Sequence, residues 1–453
     1  MHPDDIFYNT RHNVVLYPYA LCNLNCTYCF IDKNPALSII DQMIQDSFED
    51  DNYYIDFITD FVNPTNLTFM QFWGGEPTLG FKRLPKFLNK AINTFPNLKM
   101  FTFSSNTATN SYTEDVFMFL DSLKPFTDRE FMLDIQVSYD GPGKLTDMCR
   151  GEGVSNKVWK NLEKLSERLN KERDSIQHIK FRFHNKETFS QESLRILGES
   201  DETILNYWRD LAQMKSMVQR FNLPNVEFRP SLLTLAGPTK YTSEDGLYFA
   251  DFCKRSRRLM EENKDLCDYT CAFVPYFRLH RKYSGVLNDW DKRGYGYCNL
   301  CSGQIGFLPN DIISVCHSSF VDLVSDYKKI VNNRTDDPHT INSKFFEYTD
   351  NMLIYPRTDY KKLNLKMGMI QSNPKCIINS AAIIIKTLAD AGLVEQKYTH
   401  EGMAFKAAAA YVSLLPVCYR NNFNVSGSLG IANVGELKLF LNGALEVMLD
   451  EQL

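Results

Sequence analysis

Residues 17–30 read YPYALCNLNCTYCF and follow a short apolar, β-branched run at 12–16. Cys22, Cys26 and Cys29 are spaced C-x3-C-x2-C, and an aromatic residue precedes the last cysteine. Three soft thiolates on one short loop can bind three irons of a four-iron, four-sulfur cluster. The fourth iron then has no nearby protein ligand and is open to a substrate. The stretch therefore predicts a strand that leads directly into a catalytic iron–sulfur loop.

The alternative for these three cysteines is a structural zinc site or a set of buried thiols. Zinc sites usually show two C-x2-C pairs, or cysteines with histidines further along the chain. Here the next cysteine is Cys149, and no histidine lies between Cys29 and that position. The spacing therefore favours an iron–sulfur cluster.

The composition indicates a balanced, cysteine-rich chain with room for large cores. At 453 residues, a prior of about 150 residues per domain predicts two or three domains. The net charge of −5 gives no sign of a nucleic-acid partner. No apolar run reaches the roughly 18 residues of a membrane span, and no secretory signal is visible. The chain has twelve cysteines and no visible export signal. This combination predicts a protein of a reducing compartment, the cytoplasm, in which the thiols stay reduced.

Strand-like runs alternate with helical patterns through residues 1–240. The strand-like runs lie at 12–16, 67–73, 100–103, 131–139, 179–183 and 226–229, and the helical patterns at 37–62, 82–95, 114–123, 158–169 and 202–221. This alternation predicts an α/β fold, a partial six-stranded (β/α) barrel with parallel strands. Chemistry in such barrels lies at the carboxyl ends of the strands, where the cysteine loop falls.

A second candidate segment closes the second predicted strand. It reads Gly74-Gly75-Glu76-Pro77. Adjacent glycines let the backbone approach a ligand closely, and Glu76 adds a carboxylate. A plain strand-to-helix turn with an acidic cap is the alternative for these four residues.

Together these segments resemble the radical S-adenosylmethionine (SAM) enzymes over roughly residues 12–240. The cysteine loop resembles their signature. The resemblance implies that the open iron chelates SAM, whose cleavage gives a deoxyadenosyl radical that abstracts hydrogen from the substrate. Residues 74–77 look like the family's GGEP motif, which holds the SAM amino group. Asn106 resembles the strand-three T-N-G segment, with Thr107 in place of glycine.

A third segment, residues 138–151, is similar to the S-x-D-G … H-D-x-x-R motif of the radical SAM enzymes that modify peptides and proteins. In those enzymes the serine and the arginine approach the ribose and the carboxylate of SAM. The matching positions here are Ser138 and Arg150, and Thr146 stands where the relatives have histidine. An arginine fork suits a planar carboxylate because it donates two parallel hydrogen bonds.

A second cysteine set lies further along the chain. Cys298, Cys301 and Cys316 are spaced C-x2-C-x14-C around two short strands at 304–308 and 312–315. A hairpin brings its two ends together, so thiolates at both ends can reach one metal centre. A structural zinc completed by Cys271 or His317 is the alternative.

This set resembles the auxiliary-cluster region of radical SAM proteins with SPASM or Twitch extensions, and the second cluster of the molybdenum-cofactor cyclase. Asp311 stands where the SPASM motif has glycine, and the later cysteines of that motif are absent. The resemblance implies one auxiliary [4Fe-4S] cluster in residues 241–330. Its fourth iron is open, or is bound by a distant thiol such as Cys376 or Cys418.

The remaining cysteines have weaker interpretations. Cys149, next to Arg150, and Cys376, before an apolar run, are candidate hydrogen-atom donors of the kind that peptide epimerases use. Cys253, Cys267 and Cys271 are most simply structural thiols. Residues 331–453 are predicted to be mostly helical and to pack on the barrel.

Three functions follow from these observations. The order of the motifs favours a radical SAM enzyme that modifies a peptide or protein, such as a ribosomally made precursor peptide, by crosslinking, thioether formation, oxidation or epimerisation. The cyclase-like spacing supports the same chemistry on a small biosynthetic molecule. A non-enzymatic iron–sulfur carrier or zinc scaffold is the third, but it has no use for Glu76, Ser138 and Arg150. Both enzyme hypotheses imply a flavodoxin- or ferredoxin-type reductant.

Overall fold

The computed structural model describes part of the chain in detail. It covers residues 11–29, 31 and 33–220, the segments 227–230, 234–235, 304–314 and 354–356, and single residues at 8, within 248–266 and within 320–328. Within these residues, no helix is long and apolar enough to cross a lipid bilayer.

A nine-stranded sheet forms the centre of the described structure. Its strands in chain order are β1 (Asn13–Tyr19), β2 (Phe69–Gly74), β3 (Met100–Ser105), β4 (Phe131–Ser138), β5 (Ile179–Lys186), β7 (Glu227–Pro230), β9 (Gln304–Leu308), β10 (Ile312–Ser314) and β11 (Ile354–Pro356). A separate two-stranded sheet pairs β6 (Thr188–Phe189) with β8 (Thr234–Leu235).

Six of these strands run parallel in the order β1-β2-β3-β4-β5-β7. They are the six strands that the sequence predicts. The α/β fold class with a parallel sheet is therefore confirmed.

Helices connect the parallel strands and cover one face of the sheet. They are α1 (Ala36–Glu49), α2 (Tyr53–Phe61), α3 (Pro85–Thr94), α4 (Tyr112–Leu123), α5 (Lys144–Arg150), α6 (Val154–Lys171), α7 (Gln191–Gly198) and α8 (Asp201–Gln219). Two 3₁₀ helices span Pro77–Arg83 and Arg173–Ile176. Side chains such as Phe72, Phe101 and Phe103 are fully buried in the core on this helical side.

The single helix expected over residues 37–62 is wrong, because the structure has two helices there. The break falls at Asp50-Asp51-Asn52, where the backbone N–H of Asn52 donates to the Asp50 side chain over 3.0 Å. Short polar side chains of this kind compete for backbone hydrogen bonds and favour turns over helix interiors.

The predicted hairpin at 304–315 is present as β9 and β10. Three residues, 309–311, join the paired Leu308 and Ile312, and two of them, Asn310 and Asp311, have positive φ, 62° and 55°, as tight hairpin turns commonly require. The sequence did not reveal where the hairpin attaches. Strand β9 lies parallel to β1, with Gln304 opposite Asn13, so the hairpin extends the parallel sheet next to the strand that carries the cysteine loop.

Candidate active site at the carboxyl edge of the sheet

The cysteine loop begins where β1 ends and is held by short backbone contacts. The Cys29 N–H donates to the Cys26 carbonyl over 3.0 Å, and the Leu24 N–H points at the Cys22 sulfur over 3.4 Å. All three thiols are free and partly exposed. The three side chains therefore stand at the carboxyl edge of the sheet, as the sequence predicts.

A cavity of about 350 Å³ opens beside this loop. It is lined by residues of the loop, the segment before α1 and the end of β2. These are Ala20, Leu21, Cys22, Cys29, Ile31, Lys33, Asn34, Pro35, Leu37 and Gly75. A space bordered by two of the three cysteines and by a glycine backbone can accept a group bound to the loop.

Burial favours the protonated form of two thiols of the loop, those of Cys22 and Cys26. It raises the pKa of Cys22 to about 12, and the Glu76 carboxylate adds to that rise. Burial also raises the pKa of Cys26, while Arg150 opposes the rise. Metal binding must therefore displace protons from these thiols, which makes loading dependent on pH.

The three thiols are the kind of donor set that a four-iron cluster takes from a protein. A zinc ion needs every ligand sulfur at about 2.3 Å from one centre. In a four-iron cluster each thiolate binds its own iron, so three cysteines spread along one loop fit that demand.

Gly74 and Gly75 press the end of β2 against the cysteine loop. The Gly75 N–H donates to the Tyr19 carbonyl over 3.1 Å. A Cβ atom on Gly75 would lie 2.3 Å from the Leu21 carbonyl oxygen, and one on Gly74 would lie 2.1 Å from that of Tyr19. Only glycine permits this approach, which explains the pair of glycines physically.

Glu76 is buried and linked to two neighbouring segments. Its Oε1 accepts from the Thr78 hydroxyl over 2.8 Å, and its Oε2 accepts from the Asn106 N–H over 2.7 Å. It also caps the 3₁₀ helix that Pro77 begins. Burial raises the pKa of this carboxyl, and the hydrogen bonds from Asn106, Ser105 and Thr78 oppose that rise. Glu76 thus caps the 3₁₀ helix, and its contact with SAM stays a prediction.

Asn106 lies at the end of β3 and touches the cysteine loop directly. Its side-chain N–H group donates to the Asn23 side chain over 2.8 Å and approaches the Cys22 sulfur at 3.6 Å. Thr107 stands at the position where the T-N-G motif has glycine. Its φ is 56°, a backbone conformation that glycine adopts without steric cost. Thr107 therefore adopts a backbone conformation that usually favours glycine.

Arg150 is engaged by a buried partner that the sequence analysis did not name. Its guanidinium donates two hydrogen bonds to Asp140, of 2.7 and 2.8 Å, and lies over the Tyr28 ring at 5.4 Å. The Tyr28 hydroxyl also donates to Asp140. This arrangement ties the cysteine loop to the segment after β4, and the predicted contact between Arg150 and the SAM carboxylate remains a prediction.

Ser138 lies two residues before Asp140, and Cys149 directly precedes Arg150. Ser138 is half-buried as the last residue of β4. Cys149 is buried; its thiol lies 3.3 Å from the Ser190 hydroxyl, and its carbonyl accepts from the Thr27 N–H over 2.8 Å. The structure therefore links Cys149 to the cysteine loop through its backbone.

Several predicted residues lie outside the described part of the chain. They are Cys253, Cys267, Cys271, Cys298, Cys301, Cys316, His317, Cys376 and Cys418, together with most of the proposed regions 241–330 and 331–453. Their roles stay predictions.

An ion pair that the sequence analysis missed supports the start of the loop. Arg83 and Asp41 are 2.8 Å apart with both side chains nearly buried. The same aspartate accepts from the Ala20 N–H over 2.9 Å, and Arg83 donates to the Pro18 carbonyl over 2.9 Å. The two residues are 42 positions apart, and no local pattern signals their contact.

Comparison with known proteins supports the character of this site. Residues 11–142 match the family model described as a 4Fe-4S single cluster domain. The predicted four-iron, four-sulfur domain is therefore confirmed. The match spans less than a third of the chain, and no curated protein sequence matches.

Solved structures with a likeness to the chain include two of anSMEcpe. Native anSMEcpe with bound AdoMet shares 17% identity over 67% of this chain and 74% of that one, with a TM-score of 0.36. Native anSMEcpe with bound AdoMet and Cp18Cys peptide shares 17% identity over 75% and 84%, with a TM-score of 0.38. The AdoMet and the peptide are ligands of those structures.

Proposed function

We propose that this protein is a radical SAM enzyme that modifies an amino-acid residue of a peptide or protein. One observation carries the proposal. Segments that follow four consecutive parallel strands meet at the cysteine loop, and each has the chemistry that a bound cluster and SAM require. The matched 4Fe-4S domain covers the first three of these segments and residues 138–142 of the fourth.

The contacts that support this conclusion are direct. The loop after β1 accepts the backbone N–H of Glu76, after β2, at the Leu21 carbonyl and contacts the side-chain amide of Asn106, after β3. Through Tyr28 it reaches Asp140 after β4. Ligands of parallel α/β proteins bind at this edge because loops from successive strands converge there.

When bound, the cluster and SAM supply a deoxyadenosyl radical that abstracts a hydrogen atom from the substrate. The residues of the chain do the positioning. Cys22, Cys26 and Cys29 would hold the irons, and the close approach at Gly75 leaves the cavity wall free of side chain. The Asn106 amide directs a donor at the Cys22 sulfur, an interaction that tunes a bound cluster.

The Asp140–Arg150 pair would act by positioning the loop. Its two hydrogen bonds are bidentate and buried, and the pair holds Tyr28, the residue directly before Cys29. In this proposal Ser138 and Glu76 lie at the same edge and contact SAM, as the family resemblance implies.

An auxiliary cluster is part of the proposal. Gly306 and Ser314 are opposite each other in the hairpin, so the chain enters β9 and leaves β10 side by side at the amino edge of the sheet. Cys301 is three residues before Gln304, and Cys316 is two residues after Ser314. At about 3.5 Å per residue, both thiols are within reach of one centre.

We favour a peptide substrate because the S-x-D-G segment resembles a motif of the radical SAM enzymes that modify peptides. A small-molecule substrate is the second candidate, because the C-x2-C-x14-C spacing is similar to that of the cofactor cyclase. The presence of Ser138 and Arg150 in the expected order supports the first.

Iron and acid-labile sulfide, measured after anaerobic reconstitution, test the proposal together with reductive cleavage of SAM. We expect about eight irons per chain in the wild type and about four in the Cys22→Ala/Cys26→Ala/Cys29→Ala variant, which should form no deoxyadenosine. Cys253→Ala serves as the control for thiol removal. If the wild-type protein holds iron but neither binds nor cleaves SAM, the radical SAM proposal is wrong and the electron-carrier hypothesis is favoured instead.

The auxiliary cluster needs its own variant. Cys316→Ala should lose about four irons, retain some SAM cleavage and form no modified product. If Cys316→Ala keeps the full iron content and full product, the hairpin cysteines do not bind a functional cluster.

A further inference from the structure

One charged side chain borders the cavity beside the cysteine loop. Among the described residues that line this cavity, Lys33 is the only one with a charged side chain, and the others are apolar residues, Gly75, Asn34 and the cysteines Cys22 and Cys29. Lys33 is exposed, which places it at the mouth of the cavity. It lies four residues after Cys29, so a group bound by the loop lies close to this lysine.

The backbone next to Lys33 is fixed by the start of helix α1. Asn34 Oδ1 accepts from the Ala36 N–H over 2.9 Å, and the Asn34 carbonyl accepts from the Leu37 N–H over 3.1 Å. These two bonds occupy the first N–H groups of the helix, which are therefore not donors to the cavity. Lys33 is then the group that gives this wall of the cavity a positive charge.

No described carboxylate compensates the charge of Lys33. The side chain forms no ion pair with any residue that the structure describes. By contrast, Arg150, which also lies near the loop, is paired with Asp140 by two hydrogen bonds. A negative group bound at the loop therefore meets a lysine charge that these parts of the chain leave available.

The charge of Lys33 acts on the sulfurs of the loop. Burial raises the pKa of Cys22 and of Cys26, and Lys33 opposes both rises, because a cation stabilises a thiolate over the neutral thiol. A four-iron cluster bound by three thiolates is negatively charged as well, and one-electron reduction adds a further negative charge. The same field therefore favours the reduced cluster over the oxidised one.

We propose that Lys33 raises the reduction potential of the cluster bound by Cys22, Cys26 and Cys29 and thereby eases its reduction. This inference rests on the proposed function and adds a residue that positions a charge beside the cluster. In the reduction, one electron passes from a flavodoxin- or ferredoxin-type donor to the cluster, with no bond formed and no proton transferred. Lys33 acts through the cluster and takes no part in bond cleavage.

The test is a measurement of the reduction potential on the reconstituted full chain without SAM. Dithionite is added in steps, and the reduced clusters are followed by electron paramagnetic resonance. The signal that is missing from the Cys22→Ala/Cys26→Ala/Cys29→Ala variant belongs to the cluster of the loop. In Lys33→Met the ratio of reduced to oxidised cluster at a fixed potential should fall by about three- to tenfold, a shift of roughly 30–60 mV for one electron.

Matched variants separate the charge from other effects of the substitution. Lys33→Arg keeps the charge and should keep the wild-type potential, whereas Lys33→Gln repeats the loss of charge with a different side chain. Lys164→Met is the control, because Lys164 is an exposed lysine of helix α6 and its loss changes the net charge equally. The difference between wild type and Lys33→Met should shrink at about 1 M salt, since salt screens exposed charges.

Iron content shows that each variant holds its clusters, so a failure of the proposal can be read directly. Equal potentials in wild type, Lys33→Met and Lys33→Gln would overturn it, and so would an equal fall in Lys164→Met. If the potential is unchanged and only the affinity for SAM falls, Lys33 binds the SAM carboxylate instead and the proposal is wrong.

The role of Lys33 and the proposed function fail separately. An unchanged potential in a protein that cleaves SAM sinks the role of Lys33 and leaves the radical SAM function intact. A lowered potential of Lys33→Met in a protein that cleaves no SAM would support the role of Lys33 and overturn the function instead.

Discussion

At the scale of single residues, Gly75 is the position where the fold and the candidate site depend on the same atom. A Cβ there would lie 2.3 Å from the Leu21 carbonyl oxygen and 2.5 Å from that of Ala20. These are backbone atoms of the segment that leads into Cys22, so neither can move aside without moving the cysteine loop.

We therefore expect Gly75→Ala to lower the free energy of unfolding by about 1–3 kcal/mol and to reduce the iron bound after reconstitution. Gly198→Ala is the control, because a Cβ there meets only the Tyr248 ring at 3.1 Å and alanine favours the helix. Urea denaturation and iron analysis measure both. Wild-type iron content in Gly75→Ala would contradict the close approach.

The Asp140–Arg150 pair gives a second residue-scale prediction. Asp140→Asn leaves a buried guanidinium without its counter-charge and should cost about 3–5 kcal/mol. The double variant Asp140→Asn/Arg150→Met removes both charges and should recover much of that loss. Chemical denaturation of the two singles and the double measures the coupling. Additive losses would show that the two side chains do not act as a pair.

At the scale of elements, a hydrogen bond outside the sheet joins the hairpin to the helical layer. The backbone N–H of Asp311, in the turn, donates to the Tyr53 hydroxyl over 2.8 Å. Burial of Tyr53 raises the pKa of this phenol, so it stays protonated at neutral pH and its oxygen is available as an acceptor.

Tyr53→Phe should therefore weaken the attachment of the hairpin by about 1 kcal/mol. Amide hydrogen exchange of β9 and β10 should become faster by several-fold, while that of β3 should not change. Asp311→Gly is the matched variant, since it keeps the N–H and removes the cost of a positive φ. Slower or equal exchange in Tyr53→Phe would contradict this role.

The elements also show where sequence patterns succeed. All six parallel strands and the hairpin were predicted, because each is a short apolar run bounded by polar turns. The helices α5 and α7 were missed. They have only 7 and 8 residues, too few for a clear helical period, and tertiary contacts stabilise them instead.

At the scale of the whole molecule, the half-buried Asp210 of helix α8 is linked through Tyr139, the residue after β4, to Trp159 of α6. The Tyr139 hydroxyl donates to Asp210 over 2.7 Å, and Trp159 donates to that hydroxyl over 3.1 Å. Burial raises the pKa of Asp210 to about 6, against which the Tyr139 hydrogen bond acts. The folded protein thus binds this proton more tightly than the unfolded chain does.

The sign of the pH dependence follows. The unfolded carboxyl has a pKa of about 3.9, so the contribution of Asp210 to stability is complete below about pH 4 and is lost as the pH rises through 6. The loss is at most about 3 kcal/mol. Asp210→Asn should remove this pH dependence, because asparagine does not titrate. The difference in unfolding free energy between variant and wild type should therefore change steadily from pH 4 to 7. A difference independent of pH would contradict the assignment.

The sequence by itself determined the parallel α/β fold, the cysteine loop at the end of β1 and the order of the candidate segments. These features are local: a short apolar run makes a strand, and three cysteines within eight residues share a loop. Only the tertiary structure decided which side chains meet. Arg150 pairs with Asp140, Arg83 with Asp41, and Asn13 with Gln304, 291 positions away. The Arg83 and Asn13 pairs depend on which elements lie beside each other, and the Arg150 pair depends on how the segment after β4 folds, so no periodic pattern in the sequence predicts them.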